Sequence, residues 1–574
     1  MKSDHIWSIM AKAYFTGVRI LAHLLHLSLL SQLSKLSLSP LFGTSGLLLY
    51  RPLLVPSVFI ISLFFFIKKR KRRLARYAEP LTLVYSAISL SIASMIGELL
   101  GPSLGPWNGP LVIDLVTLYP SIIGSSAVVS SVLLAASKGT KSAILLFLAV
   151  AATRLLTIFE RALGRVLIPF LSVVLSGLSA KEQIVATAWA STTLLALSTP
   201  RWFKNVIGIS VLFGGQWYLH TQAPALLPQS LASYEILAST FSTSGYVSVI
   251  DSSTDGLRLL RSDHSLLGGV FTAPPSNLLD EFLDKPWNDA EPVYSAFVMQ
   301  EAIRLVSPPP KGTGNQNNAL VIGLGIGSAA SALIQHNVIT DVVEFDPAVL
   351  AYAVKYFKFP LSRATLYIAD GRQFVCDTAI NGTRKYDYII HDVFTGGVVA
   401  AELFTKEMWS DTQRVLSTDG VLAVNFGGDL TSWASKAMIL TLVQGFRENG
   451  GHCRAFRDSE SVSKARPGAE ADFANVVVFC RHAGHELGFR DPVAADYLQS
   501  LVRHQALVPQ HELRLAEYVG HHVGSNAGSF EEKSATFIIT ETDVAKVEQK
   551  LGQMAAQHWQ IMNDVLNWSV WSQW

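Results

Sequence analysis

The sequence is poor in charged residues and has almost no net charge. Charged residues make up 16% of the 574 positions, against roughly a quarter in an average soluble protein. Hydrophobic residues make up 49%, and the mean hydropathy is +0.32. This composition excludes a disordered chain and argues against a wholly soluble one. The net charge of +2 is too small for a nucleic-acid binder that works through bulk charge.

Cysteine and the common motifs of metal and nucleotide sites are also scarce. The three cysteines, Cys376, Cys453 and Cys480, are too few and too scattered for a disulfide framework or a zinc cluster. We therefore expect a reducing compartment for the part that carries them and no bound metal. No Gly-x-Ser-x-Gly elbow and no Walker loop occurs, which excludes the corresponding hydrolases and nucleotide triphosphatases.

Charge is distributed unevenly, which divides the chain into an apolar part and a globular part. A spanning helix needs about 20 apolar residues. Residues 1–230 contain enough such stretches to predict a multi-pass α-helical membrane region with six to eight spans. The candidate spans are Tyr14–Leu33, Gly46–Ile67, Leu81–Leu100, Leu111–Ala136, Lys141–Phe159, Val166–Leu178, Ile184–Ser198 and Asn205–His220.

A run of basic residues predicts the orientation of this region. The segment from Lys68 to Arg76 follows the second span and is rich in Lys and Arg, and such a cluster stays on the cytoplasmic side. With eight spans, the soluble part lies in the cytosol, whereas an odd number of spans after the basic run would place it on the other side. Asn381 and Asn567 begin glycosylation sequons, which are used only in a lumen and therefore test this orientation.

Three charged residues lie in or near the apolar runs: Glu98, Asp114 and Arg154. A charge inside a membrane is costly and marks a functional site by default. The alternative is that each lies at an interface. No internal repeat of the kind seen in transporters is evident.

Residues 235–306 predict a small β-rich module. Leu237–Ser242 and Gly245–Ile250 show the partial alternation of strands, and a turn separates them from a further strand at Leu257–Arg261. A helix near Val293–Val306 follows.

After a polar connector, residues 319–500 predict an α/β domain. Apolar strands alternate with helices, which indicates a doubly wound, mainly parallel sheet with helices on both faces. The predicted strands are Ala319–Ile322, Asp341–Glu344, Thr365–Gly371, Tyr386–Asp392, Val421–Asn425 and Phe473–Cys480. Residues 501–574 form a C-terminal extension with an amphipathic helix, which packs against the domain or a partner, or anchors its tryptophans at a membrane interface.

The first strand of this domain runs into a glycine-rich turn. Gly323, Gly325 and Gly327 let the backbone approach a ligand closely and open the following helix toward it. Glu344 ends the next strand about 20 residues later, where a carboxylate can accept both hydroxyls of a ribose. The pattern predicts a nucleoside-binding site, although structural glycines alone are the alternative.

Two more acidic residues end strands of the same sheet. Asp370, with Gly371, ends the third predicted strand, and Asp392 ends the fourth. Ligands bind outside the carboxyl ends of parallel strands, so we expect Glu344, Asp370 and Asp392 to converge on one crevice. Asp392 is our candidate general base; the alternative is that it caps a helix or binds the cofactor.

Two neighbouring residues have simpler interpretations. Asp346 precedes Pro347 and is expected to cap the helix Ala348–Phe357 rather than to bind a ligand. His391 points to the opposite face of its strand from Asp392, which indicates core packing.

The segment Glu235–Arg457 resembles the spermidine synthase (aminopropyltransferase) family, within the larger class of S-adenosylmethionine-type transferases. It is most similar to members in which spanning helices precede the domain. The strongest stretch is Tyr386–Gly428, in which Asp392 is followed by Val-Phe-Thr and then by Leu403-Phe404-Thr.

This resemblance implies a methyltransferase-like Rossmann sheet preceded by a β-hairpin module. It implies S-adenosylmethionine or its decarboxylated form as co-substrate. It also implies that Asp392 accepts a proton from the attacking amine and that Tyr294 contacts the acceptor. The implied cofactor-binding residues are Gly323, Gly325, Gly327, Glu344, Asp370 and Gly371.

The sequence departs from the family at several positions. Ile326 stands where the glycine loop has an aspartate, and Ser295-Ala296 replace the His-Glu of a Tyr-His-Glu motif. Leu267 falls at the position of the hairpin glutamine, and the Ser-Ser-Asp-Pro continuation after Asp392 is missing. Several lost groups are those that hold a polyamine cation. Nucleoside binding is therefore better supported than polyamine binding.

We interpret the chain as a membrane-anchored, spermidine synthase-like transferase that moves an aminopropyl or methyl group to an amine or other small acceptor. The expected partners are that acceptor, the lipid bilayer and a second copy of the chain, but no nucleic acid. Two alternatives remain open: a transporter or sensor whose soluble domain binds a nucleoside or polyamine without turnover, and a catalytically inactive homologue.

Overall fold

The computed structural model describes most of the chain. The described ranges are residues 2–43, 45–69, 75–136, 142–175, 178–199, 201–226, 234–274, 291–311, 316–382, 384–394, 399–459, 472–520 and 537–574. The chain divides into two compact units. The first comprises Met1–Ala232, Ser239–Phe241 and Leu566–Trp574, and the second comprises Ser233–Ala238 and Ser242–Val565.

The first unit is helical. Its helices are α1 (Lys2–Phe42), α2 (Ser45–Lys69), α3 (Ala75–Ala136), α4 (Ser142–Val174), α5 (Ala180–Leu197), α6 (Trp202–Leu226) and the C-terminal α16 (Trp568–Trp571). Helix α3 joins the third and fourth predicted spans, and Gly105 interrupts it with a φ of 71°. Helix α4 joins the fifth and sixth.

Within the described residues, two segments are long and apolar enough to cross a membrane, Tyr50–Lys69 and Tyr77–Ala135. These two segments and the other helices of the first unit agree with the predicted helical N-terminal region. The six to eight spans remain a prediction from the sequence. The run between Lys68 and Arg76 lies largely outside the described residues.

Two of the three flagged charges in this unit have ionic partners. Arg51 and Asp114 are both buried, and Arg51 Nε donates to Asp114 Oδ2 at 2.8 Å. Lys181 Nζ lies 2.7 Å from Glu98 Oε1, whereas Arg154 is exposed. A paired buried charge needs no transport function to explain it. At the chain end, the indole of Trp568 donates to the backbone oxygen of Glu98 at 2.8 Å.

The second unit begins with a five-stranded sheet in sequential order. The prediction of a β-rich module identified three of its strands. The strands are β1 (Tyr234–Ser242), β2 (Gly245–Ser252), β3 (Leu257–Ser262), β4 (Ser265–Phe271) and β5 (Glu291–Pro292). The helix predicted near Val293–Val306 is divided into α7 (Ser295–Met299) and a 3₁₀ segment, Gln300–Leu305.

An eight-stranded sheet forms the centre of this unit. Its strands are β7 (Asn318–Ile322), β8 (Ile339–Glu344), β9 (Ala364–Ile368), β10 (Tyr386–His391), β11 (Leu416–Asp429), β12 (His452–Arg457), β13 (Phe473–Arg481) and β15 (His511–Leu513). Their order in the sheet is β15-β12-β13-β11-β10-β7-β8-β9. Strands β7 to β11 pair in parallel, whereas β13 pairs antiparallel with β11 and β12. A small ladder joins β6 (Val306–Ser307) to β14 (Gly488–Phe489).

Alternate residues of the parallel strands enter two different hydrophobic clusters. On β7, Leu320 and Ile322 belong to one cluster, and Ala319 and Val321 belong to the other. The sheet is therefore covered on both faces, as the doubly wound prediction requires. The helices that follow α7 are α8 (Ser328–Gln335), α9 (Pro347–Tyr356), α10 (Gly371–Asn381), α11 (Lys406–Val415), α12 (Trp433–Glu448), α13 (Leu501–Ala506), α14 (Leu515–Gly520) and α15 (Val544–Val565).

The expected helix cap at Asp346 is confirmed. Its carboxylate accepts from the backbone N–H groups of Ala348 and Val349 at 2.7 and 3.3 Å. It also accepts from Ser242 Oγ at 2.5 Å and from the N–H of Ser244 at 2.7 Å. Asp346 therefore ties the β1–β2 turn to the start of α9, next to the candidate site.

The cysteines differ from the expectation. Cys453 and Cys480 form a disulfide, and Cys376 is free. The two paired residues lie directly opposite each other on the antiparallel strands β12 and β13. Their separation of 27 residues gave no sign of this, because the strand pairing brings them together.

The amphipathic helix predicted for the extension is α15, and it packs against the domain. Its buried residues Val547, Leu551 and Met554 belong to the same cluster as Leu320 and Ile322 of the central sheet. This is the first of the alternatives that the sequence left open.

Candidate functional site

The glycine-rich turn after β7 has a backbone that other residues cannot adopt easily. Gly323 and Gly325 have φ values of 86° and 54°. A Cβ atom on Gly323 would collide with the backbone oxygen of Asp392, and one on Gly325 would lie 2.7 Å from the backbone oxygen of Leu267. The turn is therefore packed between the β4 segment and the end of β10, and only glycine fits there.

Glu344, at the end of β8, faces this turn. Its Oε2 accepts from the N–H of Leu324 at 2.8 Å, and its Oε1 accepts from the N–H of Asp346 at 2.8 Å. The side chain is buried, and burial raises its pKa to about 7 although these hydrogen bonds oppose the shift. Each oxygen has a second lone pair, so the carboxylate can still accept two hydroxyl groups.

Asp370 is the N-cap residue of α10 and follows the end of β9, the strand that pairs with β8, by two positions. Its Oδ1 accepts from the N–H of Gln373 at 2.8 Å, which is an N-cap contact. Gly371 is buried beneath it, and a Cβ there would lie 2.8 Å from the Ile322 side chain. Glu402 lines the same cavity as Asp370. Burial is the main cause that raises the pKa of Glu402, and the negative charges of Asp370 and Glu548 raise it further.

Asp392 follows β10, one position beyond its last residue. Asn425 Nδ2 donates to its Oδ1 at 2.8 Å. Burial raises the pKa of Asp392, whereas Asn425 and Gln300 lower it. A carboxylate with a raised pKa in a cleft is a candidate for proton transfer.

The glycine turn and the carboxylates at the ends of the strands line one cavity of about 240 Å³. The residues predicted from the sequence that line it are Gly323, Gly325, Glu344, Asp370, Gly371 and Asp392. The three carboxylates converge as expected because β8, β9 and β10 end at the same edge of the sheet.

Two predicted residues are absent from the lining of this cavity. Gly327 starts α8, and a Cβ there would lie 2.5 Å from the ring of Phe359, which gives it a packing role. Tyr294 precedes α7 and contacts the ring of Phe297, with centroids 5.6 Å apart. Burial raises the pKa of Tyr294. Its contact with an acceptor remains a prediction.

The residues that depart from the family pattern lie in apolar or buried surroundings in the structure. Ile326 is buried in an apolar cluster with Val249, Leu260 and Val349, so an aspartate in that position would lack water and a partner. Ala296 is buried, and Leu267 lines the cavity.

Several residues around the cavity were missed by the sequence analysis. Phe297, Phe394 and Glu402 line it, and Asn425 and Gln300 act on Asp392. Asn425 could have been found, because it ends the predicted strand beside that of Asp392. The other four lie in irregular or short segments whose positions depend on the fold.

His391 lies in the core, as predicted. It is fully buried between the rings of Phe404 and Trp409, with centroids 5.2 and 5.1 Å from its own. Burial lowers its pKa to about 4, so it is neutral at physiological pH. Within the described part of the chain, no group of three or more His, Cys, Asp or Glu side chains could hold a metal ion.

Part of the chain is similar in sequence to known proteins. Residues 297–454 match the spermine/spermidine synthase domain. An N-terminal histidine N-methyltransferase from Emericella nidulans is 38% identical over 348 residues, 59% of this chain and 58% of that protein. A polyamine aminopropyltransferase from Vibrio vulnificus is 36% identical over 140 residues, 23% of this chain and 44% of that protein.

Among solved structures, a probable spermidine synthase from Corynebacterium glutamicum has a TM-score of 0.35 at 16% identity, over 51% of this chain and 95% of that one. The chain spans about half the length of the curated relatives it matches. Both relatives are named as transferases. The chain carries a spermidine synthase-like, methyltransferase-like domain.

Proposed function

We propose that this chain is a membrane-attached methyltransferase that uses S-adenosylmethionine and acts on a nitrogen of an N-terminal histidine. The observation that carries the proposal is the composition of one cavity. Its nucleoside side has the glycine turn and Glu344, whereas Leu267, at the position of the hairpin glutamine, adds only an apolar side chain to the lining. The Emericella relative supports the choice of acceptor.

The residues at the nucleoside end fit a sulfonium nucleoside. Gly323 and Gly325 line the cavity, and their positive φ values turn the backbone there without a side chain. Glu344 faces this turn with free lone pairs for the two ribose hydroxyls. Asp370 and Gly371 follow β9 and line the same cavity, and the resemblance implies that they would face the adenine.

Bound S-adenosylmethionine would supply an electrophilic methyl group on a sulfonium, which leaves as a neutral thioether. Asp392 would accept the proton that the acceptor nitrogen gives up on methylation. Phe297, Phe394 and Leu403 would exclude water from the reacting atoms. Most of the acceleration would come from holding acceptor and methyl group in line.

Aminopropyl transfer is the second candidate, because residues 297–454 match the spermine/spermidine synthase domain. A polyamine carries only hydrogen-bond donors on its ammonium groups and requires carboxylates. The carboxylates in the lining of the cavity are Glu344, Asp370, Asp392 and Glu402. The positions that depart from the family pattern, Leu267 in the hairpin and Ser295-Ala296 on α7, carry no carboxylate.

Membrane attachment rests on the two apolar segments of the first unit. Under this proposal they hold the enzyme at a bilayer. A second copy of the chain as partner stays a prediction from the sequence. A transporter, a sensor or an inactive homologue would bind a nucleoside without turnover.

The test uses the full chain purified in detergent. It is incubated with S-adenosylmethionine labelled in the methyl group and a peptide that begins with histidine. We expect label in that peptide, and none in a peptide with alanine in its place. Transfer to putrescine from decarboxylated S-adenosylmethionine would establish the second candidate instead. Cofactor binding with no transfer to either acceptor would favour the non-enzymatic alternatives.

A further inference from the structure

Helix α15 of the C-terminal extension lies outside the part of the chain that matches the synthase domain. That match ends at residue 454, whereas α15 comprises Val544–Val565. Two consecutive buried residues of this helix, His558 and Trp559, each pack against a segment that lines the cavity. Consecutive side chains on an α-helix point about 100° apart, so one helix can support two different parts of the lining.

His558 supports the segment that follows Asp392. The centroid of its ring lies 5.1 Å from that of Phe394 and 5.9 Å from that of Phe473. Phe394 lines the cavity two positions after Asp392. The ring of Phe394 also lies against Gly427 of β11, where a Cβ atom would be 3.3 Å from it. The position of Phe394 therefore depends on α15 as well as on the central sheet.

Trp559 supports the hairpin that carries β4. Its ring is stacked on the ring of His264, with centroids 5.2 Å apart and an angle of 23° between the planes. His264 immediately precedes β4, and the β4 residues Leu266 and Leu267 line the cavity. Trp559 therefore holds the start of the strand on which these two leucines lie.

Helix α15 is itself packed closely on β11. A Cβ atom on Gly428 would lie 2.5 Å from the sulfur of Met554. The same sulfur accepts from the backbone N–H of Asp429 at 3.3 Å, and Gln557 Nε2 donates to Asp429 Oδ2 at 3.2 Å. The helix is therefore fixed to the strand beside β10, and its aromatic residues are held in a set position.

We propose that α15 completes the acceptor end of the cavity, and that His558 and Trp559 are positioning residues that hold Phe394 and Leu267 against the acceptor. This inference rests on the proposed function and assigns to the extension the selection of a ring-shaped acceptor. A flat imidazole packs well against apolar walls that are held in place. A polyamine is flexible and carries charges along its length, and these walls offer its ammonium groups no hydrogen-bond partner.

The alternative is that α15 only stabilises the fold. A residue that acts only on stability lowers the unfolding temperature without changing how the folded protein binds the peptide. A positioning residue changes peptide binding and turnover, because the acceptor is no longer held in line with the methyl group. The nucleoside end of the cavity should be unaffected in that case.

The experiment uses the full chain in detergent. The Kd for a histidine-first peptide is measured in the presence of saturating S-adenosylhomocysteine, and kcat and KM are measured with S-adenosylmethionine. His558→Ala removes the ring that supports Phe394, and Trp559→Leu removes the stack on His264 but keeps an apolar side chain. We expect each to weaken peptide binding and to lower kcat/KM at least about tenfold. The Kd for S-adenosylhomocysteine should change less than about twofold.

Leu551→Ala and His558→Phe are the matched controls. Leu551 is buried on the same helix and belongs to the hydrophobic cluster of the central sheet, so its loss should lower the unfolding temperature and leave peptide affinity normal. His558→Phe keeps an aromatic ring beside Phe394 and should retain peptide affinity within about threefold. A loss in His558→Phe as large as in His558→Ala would overturn the packing role.

The outcomes separate the inference from the proposed function. If the wild type methylates the peptide, and His558→Ala and Trp559→Leu match it in peptide affinity and turnover, the inference is overturned and the function stands. Losses of the same size in Leu551→Ala also overturn the inference, because they show a stabilising role alone. If the wild type binds the peptide without methylating it, and the two variants bind it weakly, the inference holds and the proposed function fails. A wild type that does not bind the peptide overturns both.

Discussion

Asn425 donates a hydrogen bond from Nδ2 to Oδ1 of Asp392 at 2.8 Å. The two side chains meet because β10 and β11 are parallel neighbours. His391 pairs with Val424, and Asp392 and Asn425 are the residues that follow this pair. A donor to a carboxylate favours its charged form. The bond therefore opposes the effect of burial, which raises the pKa of Asp392.

Asp392→Asn is expected to remove turnover and to leave cofactor binding largely intact. The amide keeps the shape of the side chain but cannot accept a proton, and general-base catalysis contributes about 10²- to 10⁴-fold in rate. Single-turnover methylation and cofactor titration measure the two effects. Asp377→Asn changes an exposed aspartate on α10 and serves as control. Full activity in Asp392→Asn would refute its role as base.

Cofactor affinity is expected to depend on the charge of Glu344. Its pKa is raised to about 7, mainly by burial, so the carboxyl is protonated below that pH and ionised above it. Ribose hydroxyls donate to the ionised form. Affinity should therefore fall as the pH is lowered from about 8 to about 6. Titration calorimetry at several pH values measures this dependence.

Glu344→Gln tests the same contact without titration. The variant loses hydrogen bonds to a charged group, worth about 1.5–3 kcal/mol, or roughly 10- to 100-fold in Kd. Its affinity should no longer vary over this pH range. A variant with the same pH dependence as the wild type would show that another group, such as Asp370 or Glu402, is responsible.

Gly323→Ala should damage the cofactor site, and Gly484→Ala should not. Both glycines have a φ of 86°, so both alanines carry the same backbone strain of about 1–2 kcal/mol. A Cβ at Gly484 meets nothing within 4 Å, whereas one at Gly323 collides with the backbone oxygen of Asp392. We expect about tenfold weaker cofactor binding only in Gly323→Ala. Equal affinities in the two variants would contradict a role for the turn in binding.

The sequence predicted the parts of this fold that depend on local patterns. The five parallel strands, the acids at their ends and the cap at Asp346 follow from periodicity and from strand-to-helix spacing. The contacts of Asp392 with Gln300 and Asn425 depend on strand order and on how α7 turns into a 3₁₀ segment. The pairing of Cys453 with Cys480 depends on antiparallel register. A single sequence does not specify these long-range relationships.

Removing one partner of the buried ion pair in the helical unit should strongly destabilise that unit. Arg51→Met leaves Asp114 buried without its cation, which costs about 3–5 kcal/mol. Replacing both residues, as Arg51→Met with Asp114→Leu, should cost less because no charge remains. Lys181→Met removes the partly exposed pair with Glu98 and should cost no more than about 1 kcal/mol. Thermal unfolding in detergent measures all three. A double variant less stable than Arg51→Met would contradict this account.

The disulfide between Cys453 and Cys480 bears on the orientation of the domain. Disulfides persist in oxidising compartments and are rare in the cytosol. The pair therefore favours a domain that faces a lumen, the side opposite to the one that the basic run at residues 68–76 predicts. Asn381 is exposed at the end of α10 and would then be available for glycosylation.

We expect an N-glycan at Asn381 and a single reactive thiol in protein that is denatured without reduction. The thiol is Cys376, which is free in the structure. Glycosidase treatment should increase the mobility of the wild type on a gel, and Asn381→Gln should remove that glycan. Maleimide labelling before and after reduction counts the thiols. Three reactive thiols before reduction and no effect of the glycosidase would place the domain in the cytosol, because both modifications require the lumenal environment.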